Sequence, residues 1–374
     1  MNEEIRKLFP ATEKYVYLNS AAISPVPRIT AEAVSRQLRD VSENGSVNFA
    51  EWVQTKQKCR ELVAKMLKVK NEDVAFLRNT SDGFSCVANG LDWAEGDNIV
   101  SFEKEFPANF YPWRNVRDTF GVELRLCPEH DGRIELDEFL NLIDSNTKLV
   151  AISAVQFASG FKADLEKIGR AARAVDALFA VDIIQAFGVV PFDLEAQFVD
   201  IACGASHKWL LSPEGCGIFY LNERARARIA PTLVGWISVE EPWNFEDTEQ
   251  AWKPNALAWE SGTGSASLFY GLEQSLTLLH DLGAANIQDY LLNLTDYLCE
   301  LLPPEKYQLV SARRRGEASQ IVCLQPLNGK TSNEIAKNLE ENKIIVSPRG
   351  ERVRIAPHIF NNRADIERLI EHLP

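Results

Sequence analysis

The sequence predicts an α/β protein in which a mostly parallel sheet is flanked by helices and a smaller α+β domain follows. Short apolar segments alternate with helical patterns between about residues 74 and 222, and this alternation is typical of a parallel sheet covered on both faces. After residue 222 comes a connector rich in Trp and Pro, then a long helix from about residue 265, and then a second alternating region. A length of 374 residues is enough for two domains.

Each predicted element follows from a local pattern. The helix predicted over residues 164–175 begins at Asp164, a suitable N-cap, and places Leu165, Ile168 and Ala172 on one face. The predicted strands of the large sheet read, in chain order, DVAFLR, NIVSF, KLVAIS, LFAVDI, VDIACG and CGIFYL. Those of the tail read SQIVCLQP, NKIIVSP and RVRIAPH.

Composition and charge exclude several classes of protein. A net charge of −13 argues against nucleic-acid binding, which depends on clustered Lys and Arg. The N-terminus is charged where a signal peptide needs an apolar core, and no apolar run approaches the roughly 18 residues of a spanning helix. We expect a cytoplasmic protein with no membrane or nucleic-acid partner.

The cysteines and histidines do not form a metal-binding pattern. The seven cysteines are scattered without a CxxC pair, and the five histidines show neither HxxxH nor HExxH spacing. We therefore expect reduced thiols, no disulfide framework and no metal site.

Polar residues at the carboxyl ends of predicted strands are the candidate functional residues, because ligands of open α/β sheets bind there. Thr80 and Ser81 begin a helix, where hydroxyls and free N–H groups suit an anion. Asp182 and Lys208 each end a buried strand. Each of these residues also has an ordinary structural explanation. Thr80 and Ser81 could simply cap a helix, and Asp182 and Lys208 could form an ion pair. Lys208 could also bury its aliphatic stem and extend its amine into water.

One chemistry accounts for all of these residues together. A partly desolvated lysine forms a Schiff base with an aldehyde. If the aldehyde is pyridoxal phosphate, Lys208 makes the imine and the Thr80/Ser81 helix start holds the phosphate. Asp182 then pairs with the pyridinium nitrogen and keeps the ring electron-withdrawing.

The chain resembles the class V aminotransferase family of pyridoxal-phosphate enzymes. The matching segments cover nearly the whole chain: YVYLNSAAISPVP, RNTSDG, EFPANFYPW, VDIIQAFGVVPFDL, VDIACGASHKWLLSPEGCGIFYL, WESGTGSASLFYGL and VRIAPHIFNN. The resemblance implies fold type I, with a seven-stranded, mostly parallel sheet in the large domain. It also implies three parts: an N-terminal segment (1–20) that joins the small domain, a large cofactor-binding domain (21–264), and a linking helix with the small domain (265–374).

The resemblance also implies roles for residues around the cofactor. Lys208 is the Schiff-base lysine and moves the proton at the substrate α-carbon, and Asp182 pairs with the ring nitrogen. Gln185 donates a hydrogen bond to the ring's phenolic oxygen or to the imine. Phe106 stacks on the ring.

Further residues are expected to hold the phosphate and the substrate. Thr80, Ser81, His207 and Ser206 bind the phosphate in this interpretation. Thr263 reaches the phosphate of the neighbouring subunit in a homodimer, Arg354 holds the substrate α-carboxylate, and Asn19 lies in the substrate pocket.

Departures from the family pattern bear on the reaction. Desulfurases of this family act through a cysteine on a loop just before the substrate-binding arginine, and here that segment reads VSPRGERVRI, without cysteine. The segments EFPAN, QFASG and RIAP are more similar to the kynureninase and isopenicillin N epimerase-like branch, although a kynureninase usually has Ala-His after its aspartate.

The expected function is a pyridoxal-phosphate enzyme acting on a free α-amino acid through an external aldimine and a quinonoid, by transamination or Cβ elimination. Epimerisation and kynureninase-like hydrolysis are alternatives. A catalytically inactive family member that acts as a binding protein is a further alternative, although Lys208 and Asp182, whose loss would mark such a protein, are both present. The chain has no GxSxG and no GxGxxG after a strand, which disfavours hydrolases and dinucleotide enzymes.

Overall fold

A seven-stranded sheet is the largest element of the structure, a computed structural model that describes residues 3–374. Numbered along the chain, the strands are β1 Val16–Tyr17, β2 Val74–Leu77, β3 Asn98–Phe102, β4 Glu123–Cys127, β5 Thr147–Ser153, β6 Leu178–Asp182, β7 Ile201–Ala205, β8 Gly217–Leu221, β9 Tyr307–Leu309, β10 Val322–Pro326, β11 Ile344–Ile345, β12 Ser347–Arg349 and β13 Arg352–Ile355.

The strand order of the large sheet is β2-β8-β7-β6-β5-β3-β4, with only β8 antiparallel to its neighbours. This confirms the predicted fold class and all six predicted strands. The resemblance implied seven strands, but the position of the seventh, β4, was not predicted, because this edge strand reads ELRLC and its first four residues are not buried. Its partner β3 is buried along its whole length.

The α-helices flank the sheets and connect their strands. They are α1 Glu3–Arg6, α2 Arg28–Asn44, α3 Phe49–Leu67, α4 Thr80–Gly90, α5 Tyr111–Phe120, α6 Leu136–Asn141, α7 Leu165–Ala174, α8 Glu223–Arg226, α9 Ala266–Leu282, α10 Ala284–Leu301, α11 Ser332–Glu341 and α12 Arg363–His372. Helix α7 matches its prediction, and the Asp164 side chain accepts a hydrogen bond from the Lys167 N–H as an N-cap. The long helix predicted from residue 265 is two helices, since Gly283 separates α9 from α10 with a φ of +77°.

Both faces of the large sheet are buried. Along β5, Val150 and Ile152 join one apolar cluster, whereas Leu149 and Ala151 join the cluster on the other face. Each buried large apolar side chain contributes about 1.5–3 kcal/mol to burial free energy. This two-sided burial explains why the strands read as continuous apolar runs rather than as alternating patterns.

A four-stranded antiparallel sheet in the order β12-β13-β10-β9 forms the second layer of the fold. On β13, Val353 and Ile355 belong to a third apolar cluster, so Arg352 and Arg354 lie on the opposite face. The N-terminal strand β1 pairs with β11, and Val16 and Leu18 join the same cluster. The expected division into residues 1–20, 21–264 and 265–374 stays a prediction.

Two other expectations concern membranes and metals. None of the helices within residues 3–374 is long and apolar enough to cross a bilayer. Across the same described residues, no cluster of three or more His, Cys, Asp or Glu side chains is arranged to hold a metal ion.

Candidate functional site

A cavity of about 330 Å³ lies at the carboxyl ends of the parallel strands and extends to the small sheet. Because these strands run in one direction, their ends meet at one edge of the sheet. The cavity is lined by Ala21, Ala22, Ile23, Asn79, Thr80, Ser81, Phe106, Ala108, Phe157, Asp182, Ile184, Gln185, Ala205, His207, Lys208, Arg349 and Arg354. The structure thus brings together eight of the residues predicted from the sequence.

Lys208 lies just beyond β7, and its amine faces this cavity. The residue is 7% exposed, and its Nζ has no hydrogen bond or salt bridge within the described part of the chain. The nearest aromatic group is Phe106, whose ring centroid is 5.2 Å from Nζ. Burial lowers the pKa of Lys208 below its usual value, and the nearby cations Arg354 and Arg349 lower it further, against the opposing effect of Asp182. The amine is therefore easier to deprotonate than an ordinary lysine, which favours nucleophilic and base chemistry.

Asp182 is the last residue of β6 and is 1% exposed. Its Oδ1 accepts a hydrogen bond of 2.9 Å from the Ile184 N–H, but its Oδ2 is buried without a partner. Burial raises the pKa of the Asp182 carboxyl strongly, and the neighbouring Glu105 adds to this rise. A buried oxygen without a donor is costly for folding, so a ligand that carries a positively charged N–H would complete it.

The start of α4 forms one wall of the cavity. The Asn79 side chain caps this helix by accepting from the Asp82 N–H, and the buried Thr80 Oγ1 has no hydrogen-bond partner. Gly217 lets β8 approach closely, since a Cβ there would lie 2.6 Å from the Asn79 nitrogen. The free N–H groups and the unpartnered hydroxyl suit a phosphate group.

Phe106 covers another side of the cavity and is held by the residue before it. The Glu105 carboxylate accepts hydrogen bonds from the Ser153 N–H, the Ser153 hydroxyl and the Gln156 amide, and a longer one of 3.3 Å from the Phe106 N–H. The Phe106 ring contacts the Phe157 ring edge-on, with centroids 5.2 Å apart. This network fixes the backbone from which the Phe106 ring projects over the cavity.

Gln185 and His207 also line the cavity. The Gln185 amide accepts from the Trp209 indole N–H at 2.8 Å and donates to the Ala21 carbonyl at 3.0 Å, which leaves one amide hydrogen for a ligand. Burial and the neighbouring Lys208 lower the pKa of His207. The imidazole is therefore neutral near pH 7 and can donate a hydrogen bond from one nitrogen.

Arg354 of β13 reaches the cavity from the small sheet and is 1% exposed. Its Nη1 donates to the Phe157 carbonyl at 3.0 Å, whereas Nε and Nη2 are buried without partners. Burial lowers the pKa of Arg354 to about 9, and Arg349 contributes to the shift. Two free donors on one guanidinium form a fork that suits a carboxylate.

Three of the predicted residues do not line this cavity. The Ser206 hydroxyl donates to the Pro213 carbonyl, and Asn19 bridges to Ala356 through its backbone with its side-chain oxygen buried and unpartnered. Thr263 is exposed and lines a second cavity of about 430 Å³. Their predicted roles in binding stay predictions.

Sequence reasoning missed Arg349 and Phe157 as residues of the site, because their segments were compared with the family without assigning a role to either side chain. A signal was present for Arg349. It lies on the same face of the β12–β13 hairpin as Arg354, as the strand register shows, and alternation along the strands places them together.

No thiol faces the cavity. Cys59, Cys86, Cys127, Cys203, Cys216 and Cys323 are buried and Cys299 is partly buried, and burial raises the pKa of each of them. The segment before Arg354 is a tight hairpin in which Arg349 pairs with Arg352. It is too short to carry a cysteine loop into the cavity.

The unpartnered groups of the cavity fit pyridoxal phosphate. The buried Asp182 Oδ2 suits the protonated ring nitrogen, the start of α4 suits the phosphate, and the Lys208 amine suits the aldehyde. These groups come from different elements of the fold, and burying each of them without a partner is otherwise costly.

Comparison with known proteins points in the same direction. The family model described as "Aminotransferase class-V" matches residues 16–370. A cysteine desulfurase of Klebsiella pneumoniae is 30% identical over 84% of this chain and 81% of the relative. An uncharacterized aminotransferase of Bacillus subtilis, YcbU, is 23% identical over 99% of this chain and 97% of the relative. The solved structure of the cystine C–S lyase C-DES with its product cysteine persulfide has a TM-score of 0.90, 22% identity, and 98% coverage of both chains.

These relatives do not support the expected closeness to the kynureninase and epimerase-like branch. Other curated relatives from archaea and bacteria also carry the name cysteine desulfurase or probable cysteine desulfurase. The resemblance of EFPAN, QFASG and RIAP to that branch was too short to place the chain within the family.

Proposed function

Since the chain belongs to the aminotransferase class V family and is a pyridoxal-phosphate-dependent enzyme, we propose that it removes a β-substituent from a free α-amino acid. The observation that carries this proposal is the cavity in which the Lys208 amine, the Asp182 Oδ2 and the Nε and Nη2 of Arg354 have no hydrogen-bond partner within the described part of the chain. These are the three groups that an amino-acid reaction on this cofactor requires. The relatives named cysteine desulfurase and cystine C–S lyase support cleavage of the bond between Cβ and its substituent.

The cofactor, when bound, supplies an aldehyde that captures amines and a ring that withdraws electrons from the substrate α-carbon. Lys208 holds the cofactor and then removes the proton from the substrate α-carbon through its Nζ. The Asp182 Oδ2 would accept a hydrogen bond from the ring nitrogen and would keep that nitrogen protonated. Arg354 orients the substrate through its α-carboxylate, and Phe106 excludes water from one side of the ring.

The fate of the β-substituent follows from the missing thiol. A persulfide-forming desulfurase needs a thiolate at the substrate sulfur, and the described cysteines are all buried or partly buried outside the cavity. We therefore propose that the Cβ–X bond breaks with release of HX, and that water completes the reaction to pyruvate and ammonia. Transamination is the second candidate, favoured by the full-length similarity to the uncharacterized aminotransferase YcbU.

A product assay separates these reactions. We expect the holoenzyme to release pyruvate and ammonia from amino acids with a β leaving group, without any keto acid. Turnover that depends on an added keto acid would instead establish transamination. Formation of alanine with enzyme-bound sulfur would contradict the argument from the missing thiol, anthranilate from kynurenine would establish kynureninase-like hydrolysis, and racemisation would establish epimerisation.

We also propose that the enzyme is a homodimer in which Thr263 completes the partner's phosphate site. Thr263 is exposed and lies beside a cluster of aromatic residues: Phe49, Trp52, Trp236, Trp243 and Phe245. Gly262 lies against Trp236, since a Cβ on Gly262 would be 3.7 Å from the indole nitrogen. Trp243 is 61% exposed and Phe245 is 70% exposed. Exposed aromatic clusters of this kind mark protein interfaces.

The substitution Trp243→Glu tests this proposal. A carboxylate within the aromatic cluster cannot be buried against an apolar partner, so we expect the variant to sediment as a monomer and to lose the cofactor more readily than the wild type. Phe120→Glu is the matched control, because Phe120 is an aromatic residue that is 48% exposed and makes no ring contact with this cluster. Sedimentation of the wild-type protein as a monomer would refute the dimer.

A further inference from the structure

We propose that the cavity selects amino acids that carry a second acidic group, and that Arg349 is the residue that recognises it. This inference rests on the proposed function and assigns its substrate class. The substrate would bind with its α-carboxylate on Arg354 and with its side-chain acid on Arg349.

The strand register places the two arginines together. In the β12–β13 pair, Ser347 faces Arg354 and Arg349 faces Arg352. Paired residues of an antiparallel ladder point to the same side, and residues two apart on one strand also do so. Arg349, Arg352 and Arg354 therefore share the face opposite to Val353 and Ile355, which belong to an apolar cluster.

The three arginines differ in their partners. The Arg352 guanidinium pairs with the Glu129 carboxylate. Arg354 donates only to the Phe157 carbonyl, and Arg349 donates only to the Pro348 carbonyl at 2.7 Å. In the part of the chain that the structure describes, neither Arg349 nor Arg354 has a carboxylate within salt-bridge distance.

The cavity holds two guanidinium groups that the proposed cofactor does not use, since its phosphate is assigned to the start of α4. The cavity lining contains three cationic side chains, Lys208, Arg349 and Arg354, and one carboxylate, Asp182. Lys208 and Asp182 are taken up by the cofactor in the proposed function. Arg354 is 1% exposed and Arg349 is partly buried, and burial lowers the pKa of both. An anion would offset the cost of this burial, which is larger for Arg354. One α-carboxylate satisfies one guanidinium fork, which leaves Arg349 for a second acid.

A comparison of acids with their neutral amides tests the substrate class. Binding of L-aspartate, L-asparagine, L-glutamate and L-glutamine to the holoenzyme would be followed by the visible absorption of the bound cofactor. We expect at least one acid to bind roughly 10-fold to 100-fold more tightly than its amide, which is the range for hydrogen bonds to a charged group. Equal binding of both acids and their amides would overturn the inference.

Variants assign the effect to Arg349. In Arg349→Gln the acid and the amide should bind about equally, because the contact between Arg349 and the side-chain acid of the substrate is lost. Binding of the amide should be retained. Arg352→Gln is the matched control on the same face and should keep the preference. Arg354→Gln should weaken binding of the acid and the amide alike.

Three outcomes with Arg349→Gln would contradict the assignment. Equal weakening of acid and amide would show that Arg349 holds the α-carboxylate together with Arg354. Loss of the cofactor itself would show that Arg349 binds the phosphate, and an unchanged preference would show that it contacts neither acid. Failure of the proposed function is distinguishable, because the product assay reports which reaction occurs, whereas the preference for the acid is measured by binding alone and does not depend on the reaction that follows.

Discussion

Replacing Lys208 by alanine should lower the turnover of any amino-acid substrate by about 10²–10⁴-fold or more, the range for loss of a general acid–base group. The structure gives the reason, because in the cavity that Lys208 lines the other cationic side chains are Arg349 and Arg354, which do not lose protons at neutral pH. The variant should also bind the cofactor without a covalent bond, so that gel filtration removes it. Steady-state kinetics and cofactor content after gel filtration measure the two effects.

A second lysine controls for the general effect of removing an amine from a partly buried position. Burial lowers the pKa of Lys162 as well, but this residue lines a different cavity together with Arg133 and Glu317. Lys162→Ala should keep both turnover and the covalently held cofactor. If Lys208→Ala turned over within about tenfold of the wild-type rate, Lys208 would not be the proton-transfer residue, because such a residue contributes more than this.

Replacing Asp182 by asparagine should lower turnover by about 10²–10³-fold, the range for loss of one preorganised electrostatic contact. The amide keeps the shape of the side chain and can still accept from the Ile184 N–H, but it cannot hold a proton on the ring nitrogen. Because Lys208 is intact, the cofactor should remain covalently bound. Normal turnover in this variant would show that the Asp182 Oδ2 does not face the ring.

The same substitution should stabilise the protein without cofactor. The folded-state pKa of Asp182 is raised above its unfolded value of 3.8 by burial, so the folded state favours the protonated form and loses stability as the pH rises. The difference in unfolding temperature between Asp182→Asn and the wild type should be small near pH 4 and should increase toward neutral pH. A destabilised variant at neutral pH would show that the carboxylate is paired within the protein.

The fold and the centre of the site could be predicted from the sequence because both depend on local patterns. Two-sided burial makes each central strand a continuous apolar run, and a polar residue that directly follows such a run must lie at the edge of the sheet. Asp182 is the last residue of β6, and Lys208 lies shortly after the end of β7. Thr80 could be placed because it begins α4 shortly after the end of β2.

Features that depend on packing between distant segments could not be predicted. The edge strand β4 has an open side and therefore has a half-polar sequence, and the break between α9 and α10 rests on one glycine with a positive φ. Arg349 is an ordinary charged residue of a hairpin until the small sheet packs against the large one. The site of Thr263 depends on a second subunit, which the sequence of one chain does not describe.

The covalent attachment of the cofactor is the most direct test of this account. The protein would be mixed with pyridoxal phosphate, reduced with borohydride and digested, and the modified peptide would be identified by mass spectrometry. The account predicts one modified lysine, Lys208, with little modification in the Lys208→Ala variant. Attachment at another lysine, or no stable attachment under conditions where the protein is folded, would contradict it.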